Sequence, residues 1–141
     1  MAVYIVDASV VIERIVRGAF TENAKTMFRG ALNGDKFVVP EFCLMECTNV
    51  LWKHVRFQGL SETDAQFALT DLRSLPLERA AVKRELGKAL RIGLTHKLAI
   101  YDSMYIALAA KSRYPLVTID MPQLRAANAE GIMVKPITDF T

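Results

Sequence analysis

The sequence predicts an α/β fold: a three-layer sandwich whose central, mostly parallel sheet of four or five strands carries helices on both faces. Three observations predict it. Short β-branched runs alternate with longer stretches of helical periodicity along the whole chain. Parallel strands need crossover connections, and such helices supply them. The first of these runs, residues 2–6, is apolar throughout rather than alternating, the pattern of a strand buried on both faces. The 141 residues, 52% of them hydrophobic, fit one domain spanning residues 1–141 around one core.

Residues 2–6 (Ala-Val-Tyr-Ile-Val) read as the first strand, ending at Asp7. Ser9 is expected to cap a short helix over Val10 to Arg17, and after Gly18 a second helix runs from Thr21 to about Leu32. Asn33-Gly34-Asp35 marks a turn into a strand over Lys36 to Val39, halted by Pro40. A helix from about Glu41 to Phe57 follows, with Leu44, Cys47, Leu51 and Val55 at helical spacing and Gln58-Gly59 as its stop. Ser61-Glu-Thr-Asp64 resembles a capping box with Asp in place of Glu, which completes an αα-hairpin.

Pro76 to Arg79 is a strand candidate, followed by a charged helix from about Ala80 to Leu90. Ile100 to Ser112 forms a helix with Tyr101, Met104, Tyr105 and Leu108 on an apolar stripe. Pro115 to Ile119 is a strand ending at Asp120. Pro122 opens a helix through Ala129, Gly131 stops it, and Ile132 to Val134 is the last expected strand.

The longest apolar run falls far short of the roughly 20 residues that span a bilayer, so a soluble, cytoplasmic protein is expected. Eighteen Lys and Arg against 15 Asp and Glu leave a net charge of +3, which permits a polyanionic partner without demanding one. Cys43 and Cys47 are four residues apart on a helix, where a disulfide is awkward, and read as small buried hydrophobes. A zinc site would need further ligands at spacings the chain does not offer.

The acids are more informative than the net charge. Asp7 and Asp120 directly follow strand patterns, which places both at the carboxyl rim of the sheet, where ligands of open α/β folds bind. Each also suits a helix N-cap. Glu46 and Asp102 lie within apolar helical sequence, Cys-Leu-Met-Glu46-Cys-Thr-Asn and Ile-Tyr-Asp102-Ser-Met-Tyr-Ile, where a carboxylate needs a partner. No cation sits beside any of the four in sequence. Brought together, unit charges ~4 Å apart repel by about 4 kcal/mol at an effective dielectric of 20. A divalent cation would remove that repulsion, and an all-oxygen donor set selects Mg²⁺ or Mn²⁺ over zinc.

Four motifs in this order, Val-Asp7-Ala-Ser9, Glu46-Cys-Thr-Asn49-Val-Leu-Trp, Tyr101-Asp102-Ser-Met-Tyr-Ile-Ala-Leu-Ala and Thr118-Ile-Asp120, resemble the PIN-domain family over nearly the whole chain. Length and motif order resemble the toxin ribonucleases of VapBC toxin–antitoxin pairs. The resemblance implies that Asp7, Glu46, Asp102 and Asp120 ligate the metal directly or through water, with Ser9, Asn49 and Thr118 hydrogen-bonding around them. It further implies an endoribonuclease whose metal-activated water leaves a 5′ phosphate, a homodimeric assembly, and a small VapB-like antitoxin. Ser103, where Ala is frequent, and Met121-Pro122-Gln123, where polar or basic residues are usual, depart from the pattern.

RNA contacts are expected from Arg14, Arg17, Lys53 and Arg56 on the helices nearest the acids, unless these are ordinary solvated surface. Trp52 and Tyr105 are open to base stacking, or to core packing and subunit contact. Other readings stay open: a PIN nuclease of RNA maturation, or a PIN module that binds RNA or a partner without catalysis. A receiver domain shares the architecture and a Lys135-Pro136 ending, but it needs an acidic pair after the first strand and a phosphoacceptor after the central one.

Overall fold

The computed structural model describes residues 1–141 as four strands and seven helices. In chain order these are β1 (Val3–Val6), α1 (Ala8–Ile15), α2 (Thr21–Arg29), β2 (Lys36–Pro40), α3 (Cys43–Gln58), α4 (Glu62–Ser74), β3 (Leu77–Ala80), α5 (Leu86–His96), α6 (Ile100–Ser112), β4 (Leu116–Val117) and α7 (Met121–Ala129). The sheet is parallel throughout, in the order β3-β2-β1-β4. Helix α6 lies on β1, β2 and β4 and packs against α5 and α7, whereas α1 packs against α2, α3 and α4. Two helical layers thus enclose the sheet.

Strands β1, β2 and β4 are largely apolar because they are covered on both sides: Ile5, Val6, Phe37, Val39, Leu116 and Val117 are all fully buried. Register then sets the rim. Val6 pairs with Val117, so the residues that follow, Asp7 and Thr118, leave the sheet side by side. The Asp7 N–H still donates to the Val117 carbonyl at 3.0 Å, which holds the chain in line up to its first acid.

Three elements differ from the sequence reading. Helix α1 begins at Ala8, and its cap is Asp7 rather than Ser9, because the Asp7 carboxylate accepts the Ser9 N–H at 3.0 Å. Residues 77–80 pair with β2 from Leu77 opposite Phe37 to Ala80 opposite Pro40, and a 3-10 turn at Lys83–Glu85 follows. The charged helix therefore starts only at Leu86, since Ala80 is held in the strand and Lys83–Glu85 form the 3-10 turn. The last expected strand shrinks to a single parallel bridge between Val134 and Leu116. Strand β4 itself is two residues long, and Thr118 and Ile119 turn away to serve the site.

Other local signals held. Ser61 caps α4 by accepting the Asp64 N–H at 3.0 Å, and Gly59 ends α3 at φ 77°. Cys43 and Cys47 are buried and free, their sulfurs 3.9 Å apart. No helix is long and apolar enough to cross a membrane.

Candidate active site

A hollow of about 490 Å³ opens at the carboxyl rim of the sheet, and Asp7, Glu46, Asp102 and Asp120 all line it. The four come from four different helix beginnings. Asp7 caps α1, Asp120 caps α7 by accepting the Gln123 N–H at 3.2 Å, and Glu46 and Asp102 stand in the first turns of α3 and α6. The capping role expected of Asp7 and Asp120 and their place on the rim are therefore compatible: each cap satisfies a helix and still lines the hollow.

Asp7 is held most firmly. Only 4% exposed, it accepts the Ser9 N–H through Oδ2 at 3.0 Å, the Thr118 hydroxyl at 3.3 Å, and the Gln123 side-chain amide through Oδ1 at 3.0 Å. Thr118 also accepts the Asp120 N–H at 3.0 Å, and Ser9 Oγ accepts the Ile119 N–H at 3.2 Å. Glu46 accepts the hydroxyl of buried Tyr105 at 2.9 Å. Asp102 is tied through its backbone carbonyl, which accepts the Gln123 amide at 3.0 Å.

Gln123 was singled out in the sequence only as part of a departure from the family pattern, yet it touches three of the four acidic residues. It is fully buried, and its Oε1 has no hydrogen-bond partner. Because both groups facing its amide are acceptors, the nitrogen must point toward them and the oxygen away. A polar residue three positions after a capping Asp was the available signal, but in a short helix it reads as surface.

None of the four acids forms an ion pair; every salt bridge of the chain lies elsewhere. The consequence falls on Asp7, Glu46 and Asp102. Burial pushes the Asp7 carboxyl above its ordinary range, against the pull of the Ser9 and Gln123 hydrogen bonds. Burial raises Glu46 to about 7, with Asp7 and Asp102 adding repulsion and the Tyr105 hydroxyl opposing it. Burial and the charges of Asp7 and Asp120 raise Asp102 to about 6. The net direction for these three is upward, because burial outweighs whatever hydrogen bonds favour the charged form. The group is short of positive charge.

The donor set fits a hard divalent cation, being all carboxylate oxygen without Cys or His among the four. No three of these acids close on one point as their side chains sit. Mg²⁺ does not require that, since it is commonly held by one or two carboxylates with waters completing its shell.

The remaining expected residues separate. Ser9 and Thr118 bond within the network, whereas Asn49 is exposed and makes no hydrogen bond to any of the four acids. Of the expected cations only Arg17 lines the hollow; Lys53 lines an adjoining one. Arg14 lies with Lys25 and Arg29 beside α2, and Arg56 lies between α3 and α4 over the Phe57 ring. Tyr105 is fully buried, and Trp52, 57% exposed, faces the α3–α4 groove.

Comparison with known proteins agrees with this architecture. The PIN-domain family model matches residues 4–128. Ribonuclease VapC3 of Pyrobaculum aerophilum is 30% identical over 118 residues, covering 82% of this chain and 88% of that one. Among solved structures, PAE2754 of Pyrobaculum aerophilum superposes with a TM-score of 0.72 at 20% identity, over 98% of this chain and 91% of that one. VapBC2 of Rickettsia felis, bound to a DNA fragment from the promoter, superposes with a TM-score of 0.66 at 15% identity, over 95% and 98%. With a parallel sheet of the same fold, a family match over most of its length and a relative at 30% identity, the chain belongs to the PIN-domain family.

Proposed function

We propose that the protein is a Mg²⁺-dependent endoribonuclease and the toxin of a toxin–antitoxin pair. The observation that carries the catalytic part is the acid hollow: four carboxylates gathered on one rim, three with raised pKa values and none with a cation partner. Structural carboxylates are paired, whereas unpaired ones with perturbed titration mark functional sites. Asp7, Glu46, Asp102 and Asp120 would hold one or two Mg²⁺ or Mn²⁺ ions. Such an ion, when bound, supplies an acidified water and neutralises charge on the phosphodiester.

The chain's own residues prepare the site for that ion. Ser9, Thr118 and Gln123 fix the Asp7 carboxylate, and Tyr105 fixes Glu46. Glu46 and Asp102 keep their protons toward neutral pH, and these protons must leave before the oxygens bind a cation, so cation affinity should rise with pH. Hydrolysis would add water across one P–O bond and leave a 5′ phosphate and a 3′ hydroxyl.

The substrate class and the toxin role rest on the relative named a ribonuclease and on the VapBC neighbour. A small antitoxin and a second copy of the chain would find apolar surface on the α3–α4 hairpin, where Trp52, Phe57 and Phe67 are exposed. The deciding experiment is cleavage of single-stranded RNA by the purified protein, with Mg²⁺ and with excess EDTA. Cleavage in Mg²⁺ that EDTA abolishes is expected; equal cleavage in both, or none in either, rejects the proposal.

A further inference from the structure

A second hollow, about 570 Å³, adjoins the acids between α3 and the start of α6, and Glu46 and Val50 line both. Its other walls carry three kinds of group. Tyr101, the neighbour of Asp102, is 60% exposed, yet its ring is held edge-on by Phe42 at 5.0 Å and 74°. Phe42 rests in turn against buried Tyr105 at 5.9 Å and 89°. The exposed ring is thus supported from the core. Asn49 offers an exposed side-chain amide that no hydrogen bond uses. Lys53, one turn further along α3, is exposed and forms no salt bridge.

An aromatic face, a free amide and a free cation beside a phosphate-hydrolysing centre match the three parts of a nucleotide. Bases stack on aromatic rings, amides bond base edges, and lysines pair with phosphates. The volume lies within the range of small-ligand pockets. We propose that this hollow is a nucleobase subsite for a nucleotide flanking the scissile phosphodiester, with Tyr101 as the stacking platform, Asn49 at the base edge and Lys53 on the next phosphate. Continuity with the acid hollow and the unpaired Lys53 favour RNA over a protein segment. The inference rests on the ribonuclease reading, so its test must not depend on cleavage.

The test measures binding of a fluorescein-labelled, mixed-sequence single-stranded RNA 12-mer by anisotropy in an Asp7→Asn background. Tyr101→Leu, which keeps apolar bulk and removes the π face, is expected to weaken binding about 5- to 160-fold, the equivalent of one stacked base. Tyr101→Phe, which keeps the face, should stay within about 2-fold. In the otherwise wild-type enzyme the same loss should appear in KM, with altered cleavage positions for Asn49→Ala. Unchanged RNA affinity in Tyr101→Leu, with its melting temperature intact, overturns the subsite and leaves the face to a protein partner. Binding that follows the expected pattern without cleavage by the wild type would instead sink the nuclease reading and spare the subsite.

Discussion

Two carboxylate sites at different places in the fold show what the same chemical group does with and without a partner. Glu130, just past α7, accepts Arg91 Nη2 at 2.7 Å through Oε1 and bonds His96 Nε2 at 2.7 Å through Oε2. These hydrogen bonds, Arg91 first, hold its carboxyl down at about 2 and clasp the end of α7 to α5. Asp7, Glu46 and Asp102 in the acid hollow are pushed the opposite way, because burial is the largest influence on each and none has an ion-pair partner. The difference teaches that the hollow is built against the stability of the metal-free chain. Glu130 answers the question of what an acid is for within the fold; the hollow leaves it to something from outside.

The sharpest break is expected at the proposed metal ligands. Asp7→Asn or Asp102→Asn is expected to lower RNA cleavage in Mg²⁺ by at least about 100-fold, since even the outer partners of metal ligands cost 10- to 100-fold when lost. Stability should move the other way. At pH 8 and without metal, Asp102→Asn relieves a half-exposed, repelled charge worth about 1 kcal/mol after allowance for solvent screening, a rise of about 3–5 °C in melting temperature. Mg²⁺ should raise the melting point of the wild type and not of Asp102→Asn. A variant that loses stability along with activity would mean that these acids are structural after all.

A finer cut separates holding a ligand from being one. Gln123→Met keeps the volume of the buried side chain and removes the amide that bonds Asp7 Oδ1 and the Asp102 carbonyl. Mn²⁺ affinity, read by electron paramagnetic resonance, should fall about 10- to 100-fold, with cleavage falling in step. Unaltered Mn²⁺ affinity in a folded Gln123→Met would reduce Gln123 to packing.

The four acids were legible as a set rather than one by one, since Asp7 and Asp120 each also suit a helix N-cap and only Glu46 and Asp102 stood against their local grammar. Two ended buried strands and two interrupted apolar helices, and parallel topology brings strand ends together whatever the loops do. Gln123 obeyed its local grammar, and only the tertiary approach of α7 to Asp7 buries it. Tyr101 and Tyr105 shared one expected stripe, and the structure separates them, Tyr105 buried and Tyr101 exposed, because α6 is apolar nearly all round and helical spacing alone does not say which tyrosine faces the sheet. Arg14 and Arg56 were chosen by element, and it is the rotational phase of α1 and α3 that turns them from the hollow. Leu77–Ala80 is an edge strand with two charged residues, and its pairing with β2 carries more weight than its composition.

The smallest effect is expected at the clasp, and its pH dependence must carry the opposite sign. Glu130 has a lowered folded pKa, so its contribution is present above about 4.5 and fades as pH falls toward about 2. Glu46 and Asp102 have raised ones, so the metal-free chain keeps their contribution at low pH and loses it as pH rises from about 4 through about 6 and 7. Melting curves in EDTA from pH 3 to 8 should show both. Glu130→Gln is expected to cost about 0.2–1 kcal/mol near pH 7, as partly exposed ion pairs do, with the deficit shrinking toward pH 3 and cleavage untouched. Asp102→Asn should match the wild type near pH 3 and exceed it increasingly above pH 6. Were both variants to diverge from the wild type in the same direction, the two sites would not be opposites, and the acids of the hollow would have cationic partners among the chain's own residues.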